Sequence, residues 1–346
     1  MKTDFTGNRR ILVAAIVLPS IFFLACKKEP TTQPQGRGIV VIPEGFPEMP
    51  FPEDNQFSRE RWELGKRLFY DPILSVDNSI SCASCHKANL AFADDRDFSP
   101  GVENRPGVRN APSLANVGYH PYYLREGNVP TLEMQVAVPV QEENEFAHNM
   151  VLIAELLSAD AEYQKMATEA YNREVDPFVI TRALATFQRS LISGNSRYDK
   201  YHFQGDKTVL SESEKRGMQL FFSERAKCGS CHGGFNFTDY SFQNNGLDTV
   251  YSDFGRMRLT GLPEDESLFK VPSLRNVEVT APYMHNGKLQ TLMDVVEHYN
   301  SGGKNHPNKS SRVQVLNLTQ QEKIDLVAFL ESLTDDEFIS NTLFKE

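Results

Sequence analysis

The chain holds two copies of one short chemical signature. Cys82-Ala-Ser-Cys85-His86 is matched later by Cys228-Gly-Ser-Cys231-His232. Two thiols three positions apart, followed at once by a histidine, form an attachment site for a c-type haem. The thiols add to the porphyrin vinyl groups as thioethers, and the adjacent imidazole becomes the proximal iron ligand. Paired CxxC units also build four-cysteine zinc sites and redox dithiols. Neither chemistry needs a histidine directly after each second cysteine. The sequence has five cysteines, so two such sites leave only Cys26 over. The spacing predicts two covalent haem c groups.

These ligands need a frame, and the rest of the chain reads as mainly α. Residues 61–70 place Leu64, Leu68 and Phe69 on one helical face, and Pro72 ends the run. Asp176 reads as an N-cap before Pro177, and Ile180, Leu184, Phe187 and Leu191 mark one stripe. Ser211 with Glu214, and Thr319 with Glu322, make capping boxes ahead of two further apolar runs. Strand signals are few and short, such as 38–42. Gly/Pro/Asn-rich segments at 98–122 and 236–263 are long enough to be functional or to wrap around something. A coarse repeat runs through this pattern. Arg67-Leu68-Phe69 and Gln219-Leu220-Phe221 each precede a CxxCH unit, and each unit is followed by an Asn-centred segment near Asn110 or Asn276. Two cytochrome-c-like haem domains with long loops and little β, at 46–205 and 206–346, is the economical reading.

The formal charge of −10 argues against a nucleic-acid partner and favours a basic redox partner. At the N-terminus, Arg9 and Arg10 precede an apolar run from Ile11 to Ala25 that is too short for a membrane span. Leu24-Ala25-Cys26 looks like a bacterial lipobox, with Phe23 where leucine is usual. Residues 1–26 then form a lipoprotein signal with Cys26 as the lipidated residue, and 27–45 form a flexible tether of Lys, Pro, Thr, Gln and Gly. An ordinary signal peptide cleaved nearby is the alternative. Either way the protein is exported to the periplasmic side, where c-type haem is attached, and meets the membrane only through a lipid.

Several stretches together resemble the bacterial di-haem cytochrome c peroxidase family, which includes MauG. They are the run from Glu63 to Pro72, both haem motifs, Asn110-Ala111-Pro112-Ser113, Leu132-Glu133-Met134-Gln135, and the run from Ala281 to Gly287. The resemblance implies a peroxidatic haem on His86 and an electron-relay haem on His232. It places a distal acid at Glu145 and a companion amide at Gln135, a pair suited to moving protons between the two oxygens of peroxide. Read without the resemblance, Glu145 is one more exposed acid in an acidic run. Many members carry a histidine in the loop after the first haem that blocks the iron until the relay haem is reduced. That place falls near Val102 and holds no histidine, which implies a first haem that reacts without reductive activation. His120, the other histidine of the loop, reads as a surface or loop residue.

The relay haem needs a sixth ligand. The resemblance gives Tyr299, as in MauG. The alternatives are that Tyr299 is a core aromatic and that Met284 or His298 binds iron. His285 reads as a residue near the relay haem without being its ligand. A tryptophan between the haems in many members falls at Arg125 here, which puts the family's electron route in doubt. Tyr122 or Tyr123 could replace it, and Arg125 could pair with a haem propionate. Trp62 reads as core packing. One calcium ion between the domains is also implied, held by Asn110 through its side chain and by the carbonyls of Thr280 and Pro282. Without the resemblance, Asn110 reads as a turn cap before Pro112. The function implied is reduction of hydrogen peroxide to water by electrons from a small cytochrome c or cupredoxin, and a homodimer is allowed. The alternatives are a MauG-like oxidase of a partner protein and a non-catalytic di-haem electron carrier.

Overall fold

The computed structural model describes residues 38–346. Cys26, the leader and most of the tether lie outside the described residues. Within them the chain is mainly helical. The only named strands are Phe242–Gln243 and Phe269–Lys270, paired antiparallel. Residues 38–42 form a turn and an extended stretch rather than the expected strand. Val41 is exposed, and no neighbouring backbone supplies a ladder there.

Two helix crossings organise the molecule. Helix Arg59–Tyr70 crosses helix Pro177–Arg189, and helix Glu212–Phe221 crosses helix Gln320–Glu331. The expected caps start three of them. Asp176 accepts from the Val179 N–H, Ser211 from Glu214 and Thr319 from Glu322. Each crossing is close enough to require a glycine. A Cβ on Gly65 would lie 1.9 Å from the Ala183 carbonyl oxygen, and one on Gly217 would lie 1.9 Å from that of Asp325. Phe187 and Phe329 sit beside these glycines at equivalent places. Trp62 is 4% exposed and donates its indole N–H to the Ser190 hydroxyl at 2.8 Å, as core packing requires.

The repeat extends through the loops. Asn116 and Asn276 both take a left-handed backbone, and so do Leu124 with Met284 and Gly127 with Gly287. The Asn116 N–H donates to Leu191, as the Asn276 N–H does to Leu333. Thr131 and Thr291 cap the next helices. One apolar core runs from Ile39 to Leu191, and the other from Tyr198 to Leu333. The chain's end returns to the first, where Phe338 and Phe344 pack.

Charges lock the middle of the chain. Arg275 and Asp199 are both 0% exposed and form a two-pronged ion pair at 2.8 and 2.9 Å. Removing one partner of such a pair strands a buried charge, at a cost of ~3–5 kcal/mol. Glu133, in a stretch shared with the family, pairs with Arg189 in the same way and also accepts from Asn55 at 2.9 Å.

Candidate active site

Both CxxCH units close a single helical turn. The His86 N–H donates to the Cys82 carbonyl at 3.0 Å, and the His232 N–H to that of Cys228 at 2.9 Å. His86 Nδ1 lies 2.7 Å from the Phe92 carbonyl oxygen, and His232 Nδ1 lies 3.1 Å from that of Phe237. A carbonyl can only accept, so each Nδ1 carries the proton and each Nε2 keeps a bare lone pair. That tautomer is the one a metal ligand needs. Burial lowers both imidazole pKa values, which keeps them neutral. All four cysteines are free and partly buried. Burial pushes the Cys82 and Cys228 thiols up to about 12 and Cys85 up to about 11. Among the described residues no three His, Cys, Asp or Glu side chains gather as a metal cluster, so the two dithiols do not form one zinc site. Two thiols beside one oriented imidazole, given twice, fit the donor set of c-type haem.

The Glu145 segment is clamped to the loop after the first CxxCH. The Val102 N–H donates to the Glu145 carbonyl at 2.9 Å, and Arg105 Nη1 donates to that of Glu143 at 2.8 Å. Gly101 lies so close to Asn144 and Glu145 that a Cβ would meet their backbones. Val102 is fully buried. The Glu145 side chain is accessible in the polypeptide alone, yet desolvation pushes its carboxyl up to about 7, with Glu142 adding to the push. Its charge also raises the Cys82 and Cys85 thiols, so it lies within electrostatic reach of both. Gln135 ends the turn Leu132–Gln135, and its Oε1 is buried without a hydrogen-bond partner. Such an orphan acceptor is costly unless something donates to it.

The second site differs in one telling position. Counted from the equivalent caps Thr131 and Thr291, Pro139 and Tyr299 fall at the same place in the two halves. Helix Leu292–Asn300 runs unbroken past Tyr299, while its counterpart breaks at Val136 into Leu132–Gln135 and Ala137–Gln141. Tyr299 is half-buried; burial raises its pKa, and the hydrogen bond from Asn245 opposes that rise. Asn245 Nδ2 donates toward its hydroxyl and toward the Met284 sulfur. His298 Nε2 is engaged by the Asn245 carbonyl at 3.0 Å. Pro139 was legible in the repeat register, whereas nothing in the sequence marks Asn245.

The seam between the halves is polar and aromatic. The Tyr122 hydroxyl donates to the Tyr240 carbonyl, and the Tyr122 ring stacks on Phe242 at 5.3 Å. His120, expected as a surface or loop residue, lies in a loop and is half-buried. It packs between Tyr123 and Tyr240, and burial with the Lys270 ammonium drives its pKa well down. Contacts from the far half enclose it, which no local pattern reveals. His285 stacks on Phe269 at 4.2 Å. Arg125 is buried with an unpartnered Nε, free for a haem propionate. Asn110 is buried, and its Nδ2 donates to the Arg96 carbonyl at 3.0 Å rather than capping the turn before Pro112. Arg125 Nη2 lies 3.5 Å from Asn110 Oδ1 and 2.6 Å from the Asn110 carbonyl oxygen. A calcium ion there would face a fixed guanidinium across its only side-chain ligand, and the residues present do not fit it.

Comparison with known proteins agrees with this geometry. Residues 59–208 match the model of the di-haem cytochrome c peroxidase family, and residues 214–334 match that of cytochrome c. The methylamine utilization protein MauG of Methylorubrum extorquens is 35% identical over 289 residues, covering 82% of this chain and 81% of the relative. The cytochrome c551 peroxidase of Nitrosomonas europaea is 32% identical, covering 80% of each. A solved structure described as a MauG-like protein associated with microbial copper homeostasis superposes with a TM-score of 0.83. It is 35% identical over 88% of this chain and 97% of that one. The chain belongs to the di-haem cytochrome c peroxidase and MauG family, which implies two c-type haems.

Proposed function

We propose that the protein reduces hydrogen peroxide to water with electrons from a small periplasmic cytochrome c or a cupredoxin. In this reading the half at 46–205 carries the peroxide site and the half at 206–346 the relay. Cys82, Cys85 and His86 hold the first haem, and Cys228, Cys231, His232 and Tyr299 hold the second. When bound, the haems supply an iron that takes peroxide and a path that delivers two electrons, one at a time. The chain moves the protons. Glu145, as the carboxylate, accepts the proton of the inner peroxide oxygen and returns it to the outer one, which leaves as water. Gln135 Oε1 accepts from the peroxide O–H and orients it. Pro139 has no donor side chain where the other half has Tyr299, so this half would supply no second side-chain ligand from that place. With two electrons and two further protons, each peroxide gives two waters.

The observation that carries this reading is the Glu145 carboxyl, pushed up to about 7 with no cation beside it, in a segment pinned to the first haem loop. A group poised near neutrality suits proton transfer in both directions. The buried Val102 in place of a movable histidine supports a site ready without reductive activation. Export fits the leader, with Cys26 lipidated outside the described residues.

Tyr299 favours a second reading, oxidation of a residue in a partner protein, because a phenolate ligand stabilises ferric iron and makes the relay a poor acceptor. Steady-state assays of the holoprotein with peroxide and reduced small cytochromes c or cupredoxins test the first reading. It expects two one-electron donors oxidised per peroxide. Covalent oxidation of a partner with no donor turnover would replace it with the second. No consumption of peroxide would sink both and leave an electron carrier.

A further inference from the structure

We propose that the Arg125 guanidinium takes the place of a divalent cation at the seam between the halves, and that the protein binds no calcium there. Asn110 stands at the meeting point. Its backbone N–H donates to the His285 carbonyl of the other half at 2.9 Å. Its side-chain nitrogen is committed to Arg96, which turns Oδ1 the other way, and Arg125 Nη2 lies on that side. The same nitrogen donates to the Asn110 carbonyl at 2.6 Å. One cationic group thus addresses both oxygens that Asn110 could give to a metal.

A hard cation seeks several oxygens, preferably anionic ones. The carboxylates nearest this point are already taken. Arg109 binds Glu126 at 2.6 Å and Asp253 in a two-pronged pair at 2.6 and 2.8 Å. Among the described residues no carboxylate forms an ion pair with Arg125 itself, although the charges of Glu126 and Asp253 reach it. Burial drives the His285 pKa down to about 4, and the charge of Arg125 adds to the fall. The Arg125 guanidinium beside this amide oxygen repels a second cation, and burial removes the water that would screen it.

A metal would serve to couple the halves, and the chain already does so. The Lys270 N–H donates to the Arg125 carbonyl at 2.7 Å, and Lys270 Nζ donates to the Tyr122 carbonyl at 2.9 Å. Arg256 Nη1 donates to the Glu126 carbonyl at 2.7 Å. Arg125 therefore joins the other half through its backbone carbonyl, while its side chain braces Asn110, whose own N–H reaches His285.

The test uses the full haem-loaded protein. After dialysis against millimolar calcium and then metal-free buffer, elemental analysis is expected to find far less than one calcium per chain. Thermal unfolding curves with calcium and with EDTA are expected to coincide. Arg125→Gln removes the charge and keeps a polar side chain, and this variant is expected to gain close to one calcium per chain and a calcium-dependent rise in Tm. One retained calcium in the wild-type protein, or a loss of its Tm on adding EDTA, overturns the proposal. A folded Arg125→Gln protein indifferent to calcium overturns it as well. If that variant does not fold, the wild-type metal content decides.

Discussion

Asn245 Nδ2 lies 3.5 Å from the Tyr299 hydroxyl oxygen and donates toward it. The same nitrogen lies 3.1 Å from the Met284 sulfur. Two candidate iron ligands therefore share one amide, while the third, His298, is engaged through Nε2 by the Asn245 carbonyl. An N–H donor favours the phenolate form of a tyrosine, as ligation requires, and a thioether gains little from it.

Tyr299→Phe is therefore expected to remove the sixth ligand of the second haem. The ferric magnetic-resonance spectrum should lose its nitrogen–oxygen low-spin signal and gain a high-spin one. Met284→Leu should leave that signal in place. If instead Met284→Leu abolishes it and Tyr299→Phe does not, the tyrosine is a core aromatic and the sulfur is the ligand.

Glu145 predicts a pH profile. Burial and Glu142 raise its carboxyl above the unfolded value, to about 7. A raised carboxyl favours the neutral form, so its contribution to stability is present at low pH and lost as pH rises through about 7. Its contribution to rate runs the other way, because only the carboxylate can accept a proton. The rate of reaction with peroxide, followed by stopped-flow absorbance, should rise with pH and level off above about 7. Glu145→Gln should be slower by roughly 10²–10⁴-fold and flat across that range. A variant that keeps the rising limb would assign the proton transfer to another group.

The parts of the molecule written in adjacent residues were the legible ones. Capping at Asp176, Ser211 and Thr319 involves a side chain and a backbone N–H three positions on, so local pattern suffices. The two CxxCH units were legible for the same reason. What depends on distant contacts was not. His120 reads as a loop histidine until Tyr240 and Lys270 close over it. Residues 38–42 are a short β-branched apolar run like a strand but have no edge to join. The calcium expected at Asn110 came from resemblance, and the direction in which Arg125 turns its guanidinium toward Asn110 is something no sequence states. The equivalence of Pro139 and Tyr299 lay in the register of the repeat, which only the matched backbone of Asn116 and Asn276 makes firm.

The crossing glycines allow the two haem sites to be perturbed separately. In the first half, Phe187 sits against Gly65, Phe69 packs 5.0 Å from Phe187, and Phe92 lies 5.9 Å from Phe69. The Phe92 carbonyl then holds His86. In the second half, Phe329 sits against Gly217, Phe237 lies 6.3 Å from Phe329, and the Phe237 carbonyl holds His232. A methyl group at either glycine meets a backbone carbonyl that cannot step aside, so the helices must separate at a cost of about 1–3 kcal/mol or more. That shift passes along a chain of packed rings to one imidazole and not to the other. Gly65→Ala is expected to alter the high-spin signal of the first haem and spare the low-spin signal of the second. Gly217→Ala is expected to do the reverse. Gly205→Ala serves as the control, because its φ of +79° carries strain but a Cβ there meets nothing within 4 Å. It should lower Tm by a few degrees without touching either signal. If both helix variants disturb both haems alike, the halves unfold as one body and the ring-by-ring coupling is wrong.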